Sequence, residues 1–228
     1  MTPPPAKLTA TQRRRRILLR RLSRSGLIVA ILLVVFVLDR TGLLERVPKG
    51  GPEPQRPTTN DLTDDQRLER NARDMATYDG KTFRVSYVVD GDTLDIAHRD
   101  GLRKTTRIRL WGVDTPETVK PETPVQRYGP EASDFTKKAT LGKTVTLQLA
   151  PGRDTRGNHG RLLAYVVLPD GTTLNRQLIA TGHGYADPRY DHPHKAEYLG
   201  LMDDARLARR GLWARATQDD LPYYLQRD

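Results

Sequence analysis

Three short clusters carry side chains suited to hydrolysing a phosphodiester. Asp90-Gly91-Asp92-Thr93 places two carboxylates around a glycine; read locally, it is the tip of a hairpin. Arg107-Ile108-Arg109-Leu110-Trp111-Gly112-Val113-Asp114-Thr115-Pro116-Glu117 is a strand with two arginines on one face, ending in carboxylates three residues apart. His159-Gly160-Arg161 opens a later strand. Carboxylates from two different loops can hold a hard cation through oxygen ligands, and another that is not a ligand can activate water. Arginines clamp phosphate oxygens and stabilise the charge that grows on them. Spacing alone does not prove that the clusters converge.

The elements that must position these residues are short. Phe83, Val85, Tyr87 and Val89 alternate with Arg84, Ser86 and Val88, which reads as a strand with one buried face. Further strands are expected over Thr93–His98, Arg103–Trp111, Thr144–Leu149 (Val145, Leu147 and Leu149 inward) and Leu162–Leu168. Gly129-Pro130-Glu131 starts a helix to about Leu141, with proline and an acid in its first turn. A short helix covers Leu174–Ala180, and a last one runs from His194 to Arg210, closed by Gly211. The order predicts an α+β, mainly β domain, an OB-fold five-stranded barrel with three helices, over residues 81–216.

The five blocks VVDGDTLDI, RIRLWGVDTPE, YGPEASDFTKK, GRLLAYV and ARLARRGLW together resemble the staphylococcal nuclease-like (thermonuclease) family, in its order and at its spacing, from Phe83 to Ala214. The resemblance implies a calcium-dependent nuclease that cuts DNA and RNA at the bond to the 5′-oxygen and leaves 3′-phosphate ends. Carried over by position, Asp92 and Asp114 are the calcium carboxylates, and Thr115 gives its backbone carbonyl. Glu117 is the general base on the attacking water, and Arg109 and Arg161 grip the scissile phosphate. An arginine stays protonated, so both arginines are charge stabilisers rather than proton donors. Where the family carries a tyrosine that contacts the nucleotide phosphate, this chain has His159, able to donate with a pH dependence near neutrality. The second family tyrosine, beside the base, corresponds to Tyr190, or failing that to Tyr185. Thr118–Gln126 resembles the family's mobile loop. The expected substrates are single-stranded or flexible DNA and RNA, and the expected state is a monomer. An alternative from another class is a catalytically silent OB module that binds nucleic acid or protein at the cell envelope. The joint presence of Asp92, Arg109, Asp114, Glu117 and Arg161 argues against it.

The rest of the chain bounds the setting. The chain has no cysteine, which excludes disulfide scaffolds, thiolate metal sites and a cysteine nucleophile. The formal charge is +10, but residues 1–25 hold eight basic side chains and no acid. The folded part is therefore only mildly basic, and the charge alone does not mark a nucleic-acid binder. Behind that basic tail, Leu27–Leu38 is an unbroken apolar run that spans about 18 Å as a helix, short of the roughly 30 Å of a bilayer core. With flanking arginines and Gly42-Leu43-Leu44 as extensions, residues 26–44 are expected to form a signal-anchor or transmembrane helix. The basic tail keeps the N-terminus cytoplasmic and the nuclease-like domain outside; cleavage would make the domain secreted. Residues 45–80 are expected to be a linker with a capping box at Thr63–Gln66, opening a polar spacer helix to about Thr77. Residues 217–228 are expected as a tail. His183, His192 and His194 lack the spacing of a zinc site.

Overall fold

The computed structural model describes residues 62–119 and 124–226. The basic tail, the anchor and the Pro/Gly-rich linker fall outside these residues, as do Lys120 and Pro121 of the loop after Glu117. Among the described residues, no helix is long and apolar enough to cross a membrane.

Five strands close into a barrel in the order β1 (Thr82–Val88), β2 (Thr93–Ile96), β3 (Thr106–Leu110), β6 (Leu162–Val167), β5 (Thr144–Gln148). Closure leaves no edge to protect. Neighbours run antiparallel except β3 and β6, which are parallel. Val85, Leu94, Ile96, Ile108, Leu110, Val145, Leu147, Leu162 and Val166 are all buried in the core. Helices α2 (Gly129–Thr140), α3 (Leu174–Ala180) and α4 (Lys195–Leu207) complete the barrel domain. A two-stranded sheet of β4 (Val113–Asp114) and β7 (Tyr185–Ala186), which the periodicity gave no sign of, lies beside the barrel order.

Two strand expectations change. β1 does not keep one buried face along its length: the register shifts between Val85 and Tyr87, so Val88 turns inward and Tyr87 is exposed. An inserted residue reverses the alternation beyond it. The third strand starts at Thr106 rather than Arg103, because Asp100 and Arg103 pair across a turn instead.

The helix at Asp64–Tyr78, α1, carries the expected capping box, with Gln66 N donating to Thr63 Oγ1 at 3.3 Å and Thr63 N to Gln66 Oε1 at 3.0 Å. It is no spacer. Asp74 and Tyr78 are buried, and Tyr78 OH lies 3.1 Å from Thr106 Oγ1 on β3. Arg156 donates to both oxygens of Asp74 at 2.8 Å and to Asp100 Oδ2 at 2.7 Å. Asn71 bonds Asp154 and Thr155. A helix with few apolar residues therefore docks through polar groups, which periodicity cannot register. The C-terminal residues also pack: Leu221 is buried, and Tyr185 OH donates to Asp220 O at 3.3 Å.

His192 is buried at 4% exposure, with Nδ1 3.1 Å from Tyr165 OH. Gly112, at φ +75°, makes room for it: a Cβ there would stand 2.3 Å from His192 Nε2. Burial first, then His194 and Lys195, lower the pKa of His192, so the fold prefers the neutral ring. The unfolded chain then binds the extra proton, and stability falls as pH drops below the unfolded value near 6.5. The melting temperature is expected to fall on acidification from about pH 7.5 to 5.5, and less steeply in His192→Gln. Parallel curves for the two proteins would remove His192 as the cause.

Candidate active site

The β2–β3 register puts Thr93 opposite Arg109 and Asp95 opposite Arg107. Thr106, Ile108 and Leu110 point into the core, so both arginines lie on the other face of β3. Their reasons differ. Arg107 pairs in bidentate fashion with Asp95 at 2.8 and 3.1 Å. Arg109 forms an ion pair with Asp92 Oδ1 at 3.0 Å and donates to Asp114 Oδ1 at 2.8 Å, with Val113 O as a further acceptor. One guanidinium thus bridges carboxylates 22 positions apart in the chain. Asp92 Oδ2 accepts from Thr115 N at 2.9 Å and Thr115 Oγ1 at 3.1 Å, and Oδ1 from Thr93 Oγ1 at 2.9 Å. Gly91 permits this approach, since a Cβ there would lie 2.7 Å from Thr115 Oγ1 and 2.9 Å from Ala132 Cβ.

Arg161 reaches the same group, with Nη1 3.5 Å from Thr93 Oγ1. Glu117 lines a cleft of about 390 Å³ with Asp114 and Thr115. Its Oε1 accepts from the backbone N–H of Thr118 and Val119, both at 2.9 Å. His159 stands exposed in the turn before β6. Tyr190 is exposed beneath the Arg189 guanidinium, 5.6 Å from its ring centroid. Tyr185, the other candidate, is buried with its ring edge-on to Trp213. The structure therefore gathers Asp92, Arg109, Asp114, Thr115 and Arg161 and puts Glu117 in a cleft that it shares with Asp114 and Thr115; His159 and Tyr190 sit at exposed positions.

Asp90 stands at the expected hairpin tip and caps that turn, accepting from Asp92 N at 3.1 Å. Three side chains at the site, Asp187, Arg189 and Tyr224, escaped sequence reasoning. Asp187 holds Arg189 through two bonds, at 2.9 and 2.7 Å. Arg189 Nη2 and Tyr224 OH then reach Asp114 Oδ2, at 3.3 and 2.6 Å. Arg189 and Tyr224 lie 75 and 110 positions beyond Asp114, a separation at which sequence spacing carries no signal. The histidines serve other contacts: His183 bonds Thr181 at 2.9 Å, and His194 pairs with Glu197 at 3.1 Å.

The electrostatics are unbalanced in a useful way. Burial, opposed by Arg109 and reinforced by Asp90, pushes Asp92 up to about 6. Burial and then Asp92 raise Asp114, and burial raises Asp90. Burial, then Arg109, lower Arg161. Carboxylates crowded at elevated pKa are relieved by a cation, and arginines crowded together by an anion. Among the described residues, no group of three or more His, Asp or Glu side chains could hold a metal by itself. The acidic donors brought together here are the carboxylate oxygens of Asp92 and Asp114. They suit a hard cation that takes its remaining ligands from water.

The family described as Staphylococcal nuclease homologue matches residues 107–215. A thermonuclease of Staphylococcus hyicus is 39% identical over 137 residues, which are 59% of this chain and 76% of that protein. A thermonuclease of Staphylococcus intermedius is 42% identical over 127 residues, 56% of this chain and 70% of that protein. An uncharacterized endonuclease of Escherichia coli is 33% identical over 144 residues, 63% of this chain and 83% of that protein. With the closed barrel and the Asp92–Arg109–Asp114 bridge already in place, these likenesses make the chain a member of the staphylococcal nuclease family of hydrolases.

Proposed function

We propose that this nuclease is calcium-dependent and hydrolyses single-stranded or flexible DNA and RNA at the P–O5′ bond, leaving 3′-phosphate ends. The observation that carries the reading is the Arg109 bridge between Asp92 and Asp114, with Arg161 at its side. Asp92, Asp114 and the Thr115 carbonyl would hold Ca²⁺, which when bound supplies charge neutralisation at the phosphate. Arg109 and Arg161 bind the scissile phosphate and stabilise the charge that builds on its non-bridging oxygens. Glu117 takes a proton from water; that water's oxygen bonds to phosphorus as the P–O5′ bond breaks, and the departing 5′-oxygen is protonated from solvent. His159 and Tyr190 would contact the neighbouring nucleotide.

For the whole chain we infer a monomer with a basic cytoplasmic tail (1–25), an anchor (26–44), a linker from residue 45 and an extracytoplasmic nuclease domain. The side outside the cell suits a weak calcium site. The docking of α1 supports starting the folded unit near Thr63 rather than at residue 81.

Purified full-length protein is expected to cut a single-stranded DNA oligonucleotide in Ca²⁺, to stop in chelator, and to leave 3′ ends that a phosphatase must treat before extension. Cutting that persists in chelator would sink the calcium assignment, and ends that extend directly would sink the cleavage position. Binding without cutting in any divalent metal would favour the silent module.

A further inference from the structure

The family match ends at residue 215, yet the chain beyond it returns to the site. Thr217 donates through both its N–H and Oγ1 to Asp220 Oδ2, at 2.9 and 3.0 Å, closing a short turn. Arg127 pairs with Asp220 at 3.5 Å, Leu221 is buried, and Gln226 Nε2 donates to Leu221 O at 2.8 Å. These contacts fix the segment so that Tyr224 OH meets Asp114 Oδ2 at 2.6 Å. The 390 Å³ cleft lies between this segment and the site: Asp114 and Glu117 line it together with Arg189, Tyr223 and Tyr224. Its volume falls within the roughly 300–1,000 Å³ of small-ligand sites.

The aromatic groups in that cleft are arranged unlike a core. The Arg189 guanidinium stands 3.9 Å from the Tyr224 centroid, 5.7 Å from Tyr223 and 5.6 Å from Tyr190. Arg189 is itself held by Asp187. Tyr224 is thereby committed to Asp114, while Tyr223 leaves 74% of its surface in solvent. A rigidly backed, exposed ring beside an arginine is the surface on which unpaired bases stack. The side-chain amides of Gln126 and Gln226, which also line the cleft, can donate to and accept from a base edge.

We propose that residues 217–226 form one wall of a nucleoside subsite, in which the base next to the scissile phosphate stacks on Tyr223. The proposal rests on the phosphodiesterase reading of the same site. It makes the C-terminal segment part of the substrate cleft and favours single strands, since a base in a duplex offers no free face.

Tyr223→Ala tests it in the full-length protein. Tyr223 OH makes no bond to Asp114 and accepts from Arg189 Nη1 at a long 3.4 Å, while Asp187 keeps hold of Arg189 through two shorter bonds, so calcium affinity by calorimetry and the melting temperature are expected to match wild type. Two readouts are then taken on a short fluorescein-labelled oligothymidylate: cleavage kinetics in Ca²⁺, and anisotropy in chelator. Loss of one stacked base is expected to raise KM and the anisotropy Kd about five- to hundredfold, with kcat carrying little of the loss. Tyr223→Phe is expected to restore both. The preference for single- over double-stranded substrate is expected to shrink in the alanine variant. Binding and KM within about twofold of wild type in Tyr223→Ala would overturn the subsite. If wild type binds but does not cut, and Tyr223→Ala weakens binding, the subsite stands and the catalytic reading fails.

Discussion

Glu117→Gln is expected to lower kcat on single-stranded DNA by about 10²–10⁴-fold, the usual contribution of a positioned general base. The substitution is close to isosteric. The amide oxygen can still accept from the Thr118 and Val119 N–H groups that hold Oε1, so the loop after β4 keeps its shape. What disappears is the ability to take a proton from water. Glu117 is not among the assigned calcium donors, so calcium affinity by calorimetry is expected to be unchanged, and KM to move far less than kcat. Activity within about threefold of wild type would remove Glu117 from the base role. Loss of calcium binding in the same variant would instead make it a ligand.

The largest effect on stability is expected away from the chemistry. Arg156 is 6% exposed, between Asp74 at 8% and Asp100 at 15%. Removing one member of a buried ion pair strands the others without a partner, which costs about 3–5 kcal/mol. Arg156→Met is therefore expected to lower the melting temperature by about 10–15 °C, taking roughly 2–4 °C per kcal/mol for a domain of this size. Deleting residues 62–80 leaves Arg156 without Asp74 and is expected to cost a comparable amount or to prevent folding. Replacing Asp74, Asp100 and Arg156 together by apolar residues of similar volume is expected to recover much of the loss, because no charge is then left buried alone. Calorimetric scans of the three proteins decide the matter. An Arg156→Met midpoint equal to wild type would show that α1 is only resting on the barrel.

How much could be read in advance depended on the range of the interaction. β5 was legible residue by residue, since Val145 and Leu147 alternate on one buried face and Leu149, the residue after the strand, is buried too. β1 was not, because a bulge is a property of the β1–β2 pair and reverses the alternation in mid-strand. α1 announced its start through a local capping box and concealed its docking, because Asp74, Asn71 and Tyr78 bond to residues 28 to 84 positions away. The resemblance supplied Asp92, Arg109, Asp114, Glu117 and Arg161 because those residues sit in blocks of fixed local spacing. It gave nothing for Asp187, Arg189 or Tyr224, whose surroundings carry no such block.

By itself, the sequence determined the elements that short-range physics controls: the strand and helix order, the hairpin tip at Gly91, and the acidic and basic residue types offered to a phosphate. The tertiary structure decided which partners two neighbouring arginines take. Arg107 and Arg109 share a strand face, but the β2–β3 register gives one to Asp95 and the other to Asp92 and Asp114. It also decided that Tyr223, Tyr224 and Gln226 line the cleft. Each of these outcomes depends on a charge or hydroxyl meeting a partner brought close only by barrel closure, and Coulomb and hydrogen-bond energies follow distance in space, not along the chain.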